Sequence, residues 1–466
     1  MKNKFLQIKN PYNNEIVGKI NFKTKDEINI LLNKAYSFKY NLDSKSRSEI
    51  LIKAANLYEK NINKEALLIT QESGICIKQA IYEVRRSINA LKYAALKARD
   101  LDLNDISEEY ITKNDNKNIE LEVIAEPYDL AVAITPFNHP LNQVIHKVAP
   151  AIAAGTSIIL KPSEKTPLSA YRLREILTEC GLPDNSFIVL NGLNVVNVVK
   201  QIVSYKKLDV VSFTGSVKIG KKIECIMKDS GNTLKKYIPE LGGNAAFVVY
   251  KDADLDLASD IALSAFDNGG QRCTAIKRIL VHKNIADKFV KLFLEKVRKI
   301  KYGNPYNKNN DIGTLIDSSA VDVIYQRVML AIASGAKLLY GNKIDNAIYS
   351  PTVLDDVSPE MDLVKEETFG PIAPIIRFGS IEECIEIVES TRFKLAGAIC
   401  TKSIEIAKRY SNQISVGQFS WNGPPGYRTE NAPFGGFSDS GNGSKEGIVD
   451  SIKGLMKIRT FWRHNK

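Results

Sequence analysis

Residues 130–160 read LAVAITPFNHPLNQVIHKVAPAIAAGTSIIL, and this stretch decides the predicted fold. Its first five residues are wholly apolar, which is typical of a strand buried on both faces. A helix is predicted over residues 140–154, and residues 157–160 are predicted to form a second buried strand. A strand, a helix and another apolar strand in this order predict a βαβ unit with parallel strands.

The same alternation continues along the chain. A helix over residues 169–180 and strands over 187–190 and 209–213 extend the unit into a doubly wound parallel sheet. A second series begins near residue 240, with a strand at 245–249 and a helix over 255–268 that ends at a glycine pair. Further units reach about residue 417, so the predicted fold class is α/β with two such series.

The remaining segments differ in character. Residues 25–104 carry apolar side chains at helical spacing and are predicted to be mostly helical. Residues 107–126 hold two short apolar patches around a polar turn, which predicts a projecting hairpin. The C-terminal residues 447–466 are expected to pair with that hairpin in a neighbouring subunit or to form a strand on their own domain.

Composition excludes several classes of protein. The 466 residues include 64 Lys and Arg against 53 Asp and Glu, a net charge of +11, but the two signs are mixed throughout, so no nucleic-acid partner is expected. The excess positive charge favours an anionic substrate. Six cysteines without Cys-x-x-Cys spacing and four histidines without zinc spacing predict reduced thiols and no metal site. No apolar leader and no apolar stretch of about 20 residues is present, so we expect a soluble, cytoplasmic protein without a membrane partner.

The stretch NGGQRCT, residues 268–274, places Cys273 after a glycine pair and next to Arg272. Glycines permit a tight turn that exposes the next residues, and a guanidinium lowers the pKa of a thiol. Taken alone, a buried inert cysteine is the simpler interpretation. Glu240 in ELGGN, residues 240–244, offers a carboxylate base for a cysteine intermediate and favours a catalytic role.

Three other segments follow predicted strands. Thr214, Gly215 and Ser216 precede a helix whose N-terminus suits a phosphate, although the three-glycine fingerprint is absent and a helix cap explains them equally well. Lys161 is a candidate for a ribose hydroxyl. Glu164 is a candidate to accept from an adenosine 2′-OH and to repel a 2′-phosphate, which favours NAD over NADP. An exposed turn is the alternative for this pair.

Asn138 follows the strand at 130–134 and carries a side-chain amide that suits an oxyanion. For an isolated asparagine near a proline, a turn residue is the simpler interpretation.

Seven motifs together resemble the aldehyde dehydrogenase superfamily, over essentially the whole chain and in the family's order. They are PFN (136–138), KPSE (161–164), FTGS (213–216), ELGGN (240–244), GQRC (270–273), ETFGP (367–371) and PFGG (433–436). The resemblance implies a cofactor domain (1–106 and 127–239), a catalytic domain (240–443) and an oligomerisation flap (107–126 and 444–466). It also implies a homodimer or homotetramer.

The resemblance also implies a role for each matching residue. Cys273 attacks the aldehyde, Asn138 and the Cys273 backbone N–H hold the oxyanion, and Glu240 activates the water that releases the acid. Lys161 and Glu164 hold the adenosine ribose, Ser216 meets the pyrophosphate, and Glu367 and Phe369 hold the nicotinamide ribose and ring. Retention of Glu240 favours hydrolysis over transfer to coenzyme A. A family member that has lost catalytic activity and serves only as a binding protein would be expected to lack such residues.

The substrate tunnel is predicted to be cationic. By resemblance it is lined by Arg86, His139, His146, Arg272, Arg428 and Phe434. Converging guanidiniums require an anion to offset their desolvation, and their planar donors suit phosphate, phosphonate or carboxylate oxygens. The alternative for each is a surface or ion-paired side chain.

The substrate is predicted from finer resemblance. The segments FNHPLNQ (137–143) and KPSEKTP (161–167) look like those of phosphonoacetaldehyde dehydrogenases and their phosphonoformaldehyde relatives. Oxidation of phosphonoacetaldehyde with NAD, in phosphonate metabolism, is therefore placed first. The alternatives are glyceraldehyde-3-phosphate, by a non-phosphorylating dehydrogenase, lactaldehyde, and semialdehydes that bear a carboxylate.

Overall fold

The computed structural model describes residues 5–99 and 118–465. Its helices are α1 (Lys25–Ser37), α2 (Ser44–Lys60), α3 (Ile62–Ser73), α4 (Ile77–Arg99), α5 (Asn142–Ala154), α6 (Leu168–Glu179), α7 (Val195–Val203), α8 (Val217–Asp229), α9 (Leu255–Ala262), α10 (Ala286–Val297), α11 (Ser318–Ala333), α12 (Asp362–Lys365), α13 (Ile381–Glu389), α14 (Ile404–Ser411) and α15 (Ile448–Gly454). The helical prediction for residues 25–104 is confirmed by α1 to α4 as far as Arg99.

The strands form two large sheets and several small pairs. They are β1 (Phe5–Lys9), β2 (Ile16–Asn21), β3 (Asn118–Pro127), β4 (Leu130–Ile134), β5 (Ser157–Lys161), β6 (Phe187–Val189), β7 (Val210–Thr214), β8 (Lys236–Glu240), β9 (Ala245–Val249), β10 (Ile276–His282), β11 (Lys337–Tyr340), β12 (Ile344–Asp345), β13 (Ile348–Tyr349), β14 (Thr352–Asp355), β15 (Ile372–Phe378), β16 (Phe393–Lys394), β17 (Ala396–Cys400), β18 (Gln418–Trp421), β19 (Phe437–Ser438) and β20 (Met456–Asn465).

The first large sheet has five parallel strands in the order β6-β5-β4-β7-β8. All five residues of β4 are buried, as its apolar run predicts. Ala131 and Ala133 pack with α4 and α5 on one face, while Val132 and Ile134 pack with α1 and α7 on the other. Helices on both faces explain why the strand shows no polar alternation, and the predicted α/β fold is confirmed.

The second large sheet has seven strands in the order β11-β14-β15-β10-β9-β17-β18, and only β11 runs antiparallel to its neighbour. The helix predicted over residues 255–268 ends earlier, at Ala262, and a 3-10 segment continues over Leu263–Gly270. Its regular backbone breaks at Asp267, whose ψ of 132° is extended, and three left-handed residues follow. This break sets the direction in which the chain reaches Cys273.

Strand β20 pairs antiparallel with β3 of the same chain, from Met456 opposite Pro127 to Asn465 opposite Asn118. The C-terminal strand therefore pairs with the described half of the hairpin of its own chain, and a pairing with a neighbouring subunit stays a prediction. One half of the predicted hairpin, residues 107–117, lies outside the described residues. The three-part division into cofactor domain, catalytic domain and flap stays a prediction.

In the part of the chain that the structure describes, no helix is long and apolar enough to cross a membrane. The same residues contain no cluster of three or more His, Cys, Asp or Glu side chains placed to hold a metal ion. All six cysteines are described, and all are free.

Candidate active site

The carboxyl ends of β4 and β7 border the crevice that holds the predicted catalytic and cofactor segments. Strands β5 and β6 lie on one side of β4, and β7 and β8 lie on the other. Successive strands are added on one side of β4 and then on the other, so the strand order reverses between β4 and β7. Open α/β sheets bind ligands at such a point. Asn138 follows β4, and Ser216 follows β7 at the N-cap of α8.

A left-handed turn brings Cys273 to this crevice. The backbone has φ values of 53°, 61° and 70° at Asn268, Gly269 and Gly270. A Cβ atom at Gly270 would lie 1.9 Å from the carbonyl oxygen of Gly370, so the backbones approach too closely for any side chain. The Lys277 ammonium donates a hydrogen bond to the Gly270 carbonyl and holds the turn. The Cys273 side chain remains partly exposed.

The Cys273 thiol is protonated at neutral pH in the protein alone. Burial raises its pKa to about 11, and the carboxylates of Glu367 and Glu240 act in the same direction. Arg272 and Arg428 lower the pKa but do not offset these effects. The predicted direction of the Arg272 effect is therefore confirmed, but burial outweighs it.

Two cavities meet at Cys273. The larger has a volume of about 460 Å³ and extends past Thr214, Gly215 and Ser216. The smaller has a volume of about 290 Å³ and extends to Arg86 and Arg428. The residues that line both are Asn138, Gln143 and Cys273. A carbon atom bound to the Cys273 sulfur could therefore be reached by one molecule in the larger cavity and by another in the smaller cavity.

Asn138 is fixed beside Cys273, with which it lines both cavities. Its Nδ2 donates to the Gln271 carbonyl at 2.8 Å, and its own carbonyl accepts from Asn268 Nδ2 at 2.9 Å. A side-chain amide carries two N–H groups, so the second remains available to an oxyanion formed at Cys273.

Glu240 lies at the end of β8, is 2% exposed and has no hydrogen-bond partner at either carboxyl oxygen. Burial raises its pKa well above the usual range, and Glu446 raises it further, whereas Lys147 lowers it. Glu240 lines neither of the two cavities. Its carboxylate nevertheless raises the pKa of the Cys273 thiol, so the two groups are close enough to interact.

A buried polar network lies behind Glu240. The Lys147 ammonium donates to the Glu446 carboxylate and, at 2.7 Å, to Ser212 Oγ. Ser212 Oγ in turn donates to Glu446 Oε1 at 2.9 Å. The Lys147 ammonium and the Glu446 carboxylate of this network therefore both affect the pKa of Glu240.

The larger cavity has donors and acceptors that fit a nicotinamide dinucleotide. Ser216 caps α8 without a side-chain hydrogen bond to the helix, and Thr214 Oγ1 is buried without a partner. These hydroxyls and the first N–H groups of the helix suit a pyrophosphate. Further in, the Glu367 carboxylate suits ribose hydroxyls. Phe369 packs edge-to-face on Phe137, with ring centroids 6.0 Å apart, and forms a wall for a ring.

Lys161 and Glu164 lie outside this cavity. Lys161 ends β5, is 3% exposed and forms an ion pair with Glu164, with Nζ 2.6 Å from Oε1. Burial lowers the pKa of Lys161, and Glu164 raises it. Their assignment to an adenosine ribose stays a prediction.

The smaller cavity is lined by five of the six residues predicted for the substrate, namely Arg86, His139, Arg272, Arg428 and Phe434. Most of its charged side chains already have partners. Arg86 Nη2 lies 2.9 Å from Glu430 Oε1, Arg272 Nη1 lies 3.2 Å from Asp267 Oδ2, and His139 Nδ1 lies 3.2 Å from Glu83 Oε2. Lys78, which also lines the cavity, pairs with Asp311.

Arg428 differs from the other cations. Among the described side chains of this cavity, it is the cation that has no hydrogen bond or ion pair with a carboxylate. Its guanidinium lies 4.1 Å from the ring centroid of Phe434, which fixes the plane of the donors. Burial and the nearby Arg86 lower its pKa, and the carboxylates of Glu430 and Glu446, which it does not contact directly, raise it without offsetting the effect.

His146 is not on the cavity wall. It is 3% exposed, and its Nε2 lies 3.0 Å from Glu430 Oε2, behind Arg86. The prediction that it lines the substrate tunnel is corrected, because its position on α5 directs it to Glu430 rather than to the cavity.

Comparison with known proteins agrees with this geometry. The model of the aldehyde dehydrogenase family matches residues 1–461. The chain belongs to this family. It is therefore an oxidoreductase, and the expected fold and enzyme class are confirmed.

Individual family members are similar over almost their whole length. Lactaldehyde dehydrogenase of Methanococcus aeolicus is 36% identical, with 98% of this chain and 97% of the relative covered. 3-Sulfolactaldehyde dehydrogenase of Priestia aryabhattai is 34% identical, with 97% and 94% covered. The glyceraldehyde-3-phosphate dehydrogenase of Methanocaldococcus jannaschii, solved with NADP, is 34% identical and superposes with a TM-score of 0.92 over 100% of both chains.

Several residues of this aldehyde dehydrogenase site were not identified from the sequence. Gln143 lines both cavities, and Lys147 and Glu446 form the network behind Glu240. Arg327 donates to the Glu367 carbonyl, and Glu430 binds Arg86. A signal was present for Lys147, because a lysine in a helix that is mostly apolar requires a buried partner. The others come from distant segments and carry no local signal.

Proposed function

We propose that this aldehyde dehydrogenase oxidises a three-carbon 2-hydroxyaldehyde with an anionic group on carbon 3 to the corresponding acid. The observation that carries the proposal is Arg428, an unpaired guanidinium in the cavity that opens onto Cys273. A planar fork of donors without a carboxylate binds an oxyanion group with little competition from the protein. The small cavity volume of about 290 Å³ favours a short substrate.

The names of the relatives support the hydroxyaldehyde skeleton. Lactaldehyde, 3-sulfolactaldehyde and glyceraldehyde-3-phosphate share an aldehyde, a 2-hydroxyl group and a third carbon. They differ only in what carbon 3 carries, which is hydrogen, a sulfonate or a phosphate ester. None of these relatives is named for a phosphonoaldehyde, so phosphonoacetaldehyde, which the sequence places first, gives way to the alternatives stated with it.

The proposed chemistry uses residues already described. Cys273 gives up its thiol proton to water and its sulfur attacks the aldehyde carbon, and the resulting thiohemiacetal oxyanion is held by Asn138 Nδ2 and the Cys273 N–H. A nicotinamide cofactor, held in the larger cavity by Ser216, Glu367 and Phe369, would supply the hydride acceptor. The acyl group would then remain on Cys273 as a thioester, and Glu240 takes a proton from the water that hydrolyses it. The sum is aldehyde, water and oxidised cofactor converted to acid, a proton and reduced cofactor.

The cofactor is proposed to be NAD, with NADP used less well. Support comes from Glu164, whose carboxylate would repel a 2′-phosphate if the adenosine ribose lies beside it. The M. jannaschii relative was solved with NADP, so both cofactors belong in any assay.

A homodimer or homotetramer is proposed from the surface of β20. Ile458, Phe461 and Trp462 are 61%, 44% and 55% exposed along this strand. Neighbouring exposed apolar side chains on one strand are typical of a protein interface. Light scattering of the purified protein gives the subunit number.

One assay tests the substrate. Reduced cofactor is followed with lactaldehyde, 3-sulfolactaldehyde, glyceraldehyde-3-phosphate and phosphonoacetaldehyde, each with NAD and with NADP. We expect kcat/KM for at least one anionic hydroxyaldehyde to exceed that for lactaldehyde tenfold or more, about 1.4 kcal/mol of transition-state preference. A lead for lactaldehyde would contradict the anionic part of the proposal, and a lead for phosphonoacetaldehyde would contradict the skeleton.

A further inference from the structure

The Glu430 carboxylate lies outside the substrate cavity and pairs with Arg86, a cation of the cavity wall. Its Oε1 accepts from Arg86 Nε at 3.1 Å and from Arg86 Nη2 at 2.9 Å. Its Oε2 lies 3.0 Å from His146 Nε2. The Glu430 side chain is 12% exposed and does not line the cavity, whereas Arg86 does. The carboxylate thus binds a cavity guanidinium without itself meeting the substrate.

Glu430 is ionised at neutral pH. Burial opposes its charge, but its contacts with His146 and Arg86 lower its pKa to about 2. Arg86 therefore has a carboxylate in direct contact, while Arg428, two residues before Glu430, has none and interacts with Glu430 and Glu446 only electrostatically. Because Arg272 and Lys78 also have direct carboxylate partners, the described lining of the cavity offers one unpaired guanidinium rather than several.

We propose that Glu430 is a specificity-determining residue that adjusts the cavity to a singly charged anion, a sulfonate, in preference to a doubly charged phosphate. This inference rests on the proposed function and specifies its substrate class. A sulfonate carries one negative charge, whereas a phosphate ester carries about −1.5 to −2 at pH 7. The second negative charge of the phosphate has no unpaired cation to bind in the cavity, and the Glu430 carboxylate repels it electrostatically.

The test uses glyceraldehyde-3-phosphate and 3-sulfolactaldehyde, which share the reacting end. We expect the native enzyme to have the higher kcat/KM with the sulfonate. Glu430→Gln keeps a hydrogen-bond acceptor for Arg86 but removes the charge, so the phosphate-to-sulfonate ratio of kcat/KM should rise roughly tenfold. The double variant E430Q/R86M removes the freed guanidinium and should return the ratio to within about threefold of native.

Lactaldehyde serves as the uncharged reference, since a purely structural effect of E430Q would lower kcat/KM for all three aldehydes together. Glu382→Gln is the matched control, because Glu382 pairs with Arg409 at 2.5 Å on the surface, and the ratio should not change. A native preference for the phosphate, an unchanged ratio in E430Q, or a raised ratio that persists in the double variant would each overturn the proposal.

Arg86→Met provides an independent test if E430Q does not fold. R86M leaves the Glu430 carboxylate unpaired beside the cavity, so kcat/KM should fall about tenfold more for the phosphate than for the sulfonate, with lactaldehyde changed by less than threefold. Equal losses for the phosphate and the sulfonate in R86M would overturn the inference. A native lead for lactaldehyde over both anions would instead refute the proposed function, so the two failures are distinguishable.

Discussion

Gly243 lies against the backbone of Cys273, the proposed nucleophile, and a Cβ atom at Gly243 would be 2.1 Å from the carbonyl oxygen of Cys273. Gly243 belongs to the loop between β8 and β9, so this contact joins the segment that carries Glu240 to the segment that carries Cys273. The close approach explains why the motif needs a glycine here, since any side chain would push the two catalytic segments apart.

Gly243→Ala should therefore reduce catalysis more than binding. The added methyl group must displace the backbone of Cys273, at a cost of about 1–3 kcal/mol for overpacking. We expect kcat to fall tenfold or more with a smaller change in KM, measured by steady-state kinetics. Gly423→Ala is the control, because its nearest neighbours lie 4.0 Å away. Equal activity of the two variants would contradict the contact.

The raised pKa of Cys273 predicts a pH-dependent reactivity. With a pKa of about 11, the thiolate fraction of the protein without cofactor should rise about tenfold per pH unit from pH 7 to 9. Alkylation by iodoacetamide, followed by loss of activity and by mass spectrometry at Cys273, measures this slope. Arg272→Gln should slow alkylation, since Arg272 lowers the pKa. A rate that is flat from pH 6 to 9 would place the pKa below this range.

The network behind Glu240 predicts opposite shifts for its two charged members. Glu446 raises the pKa of Glu240 and Lys147 lowers it. Glu446→Gln should therefore move the acidic limb of thioester hydrolysis to lower pH, and Lys147→Met should move it to higher pH. Rapid mixing at several pH values separates the burst of reduced cofactor from the later hydrolysis. Shifts of the same sign in both variants would contradict the assignment.

Removal of the unpaired guanidinium should be selective for charged aldehydes. Arg428→Met should lower kcat/KM for the preferred anionic aldehyde by about ten- to hundredfold, the usual effect of a charged hydrogen bond of roughly 1.5–3 kcal/mol. Lactaldehyde should change by less than threefold. Arg409→Met, at a side chain that is 52% exposed, is the control. Similar losses on charged and uncharged aldehydes would make Arg428 a structural residue.

Cofactor choice is predicted to depend on the Lys161 and Glu164 pair. Glu164→Thr removes a carboxylate that would repel a 2′-phosphate and leaves the Lys161 ammonium without its partner. The ratio of kcat/KM for NADP to that for NAD should rise by tenfold or more, measured with one aldehyde at saturation. An unchanged ratio would show that Glu164 does not contact the adenosine ribose.

Catalytic cysteine chemistry requires the sulfur itself. Cys273→Ala should abolish formation of reduced cofactor while leaving cofactor binding, measured by calorimetry, within about threefold of native. Residual turnover above one per cent would contradict the assignment of Cys273 as the nucleophile.

Local patterns in the amino-acid sequence were enough to predict the buried strands and the reactive segments. Apolar runs defined β4, β5 and β9, because strands buried on both faces have no polar alternation. Short motifs that combine glycine with a reactive side chain located the segments around Cys273 and Glu240, because a tight turn and the reactive group that it presents are adjacent in the chain.

The pairing of charges depends on the folded chain. Glu430 lies 344 residues from Arg86, and Glu446 lies 299 residues from Lys147, so the sequence does not indicate which carboxylate each cation contacts. The sequence places several guanidiniums near the tunnel, which predicts a cationic site, and places Arg272 beside Cys273, which predicts a lowered thiol pKa. Carboxylates pair with Arg86 and Arg272 and leave Arg428 as the unpaired guanidinium, and burial outweighs the effect of Arg272 on Cys273, because desolvation and pairing depend on three-dimensional neighbours rather than on spacing along the chain.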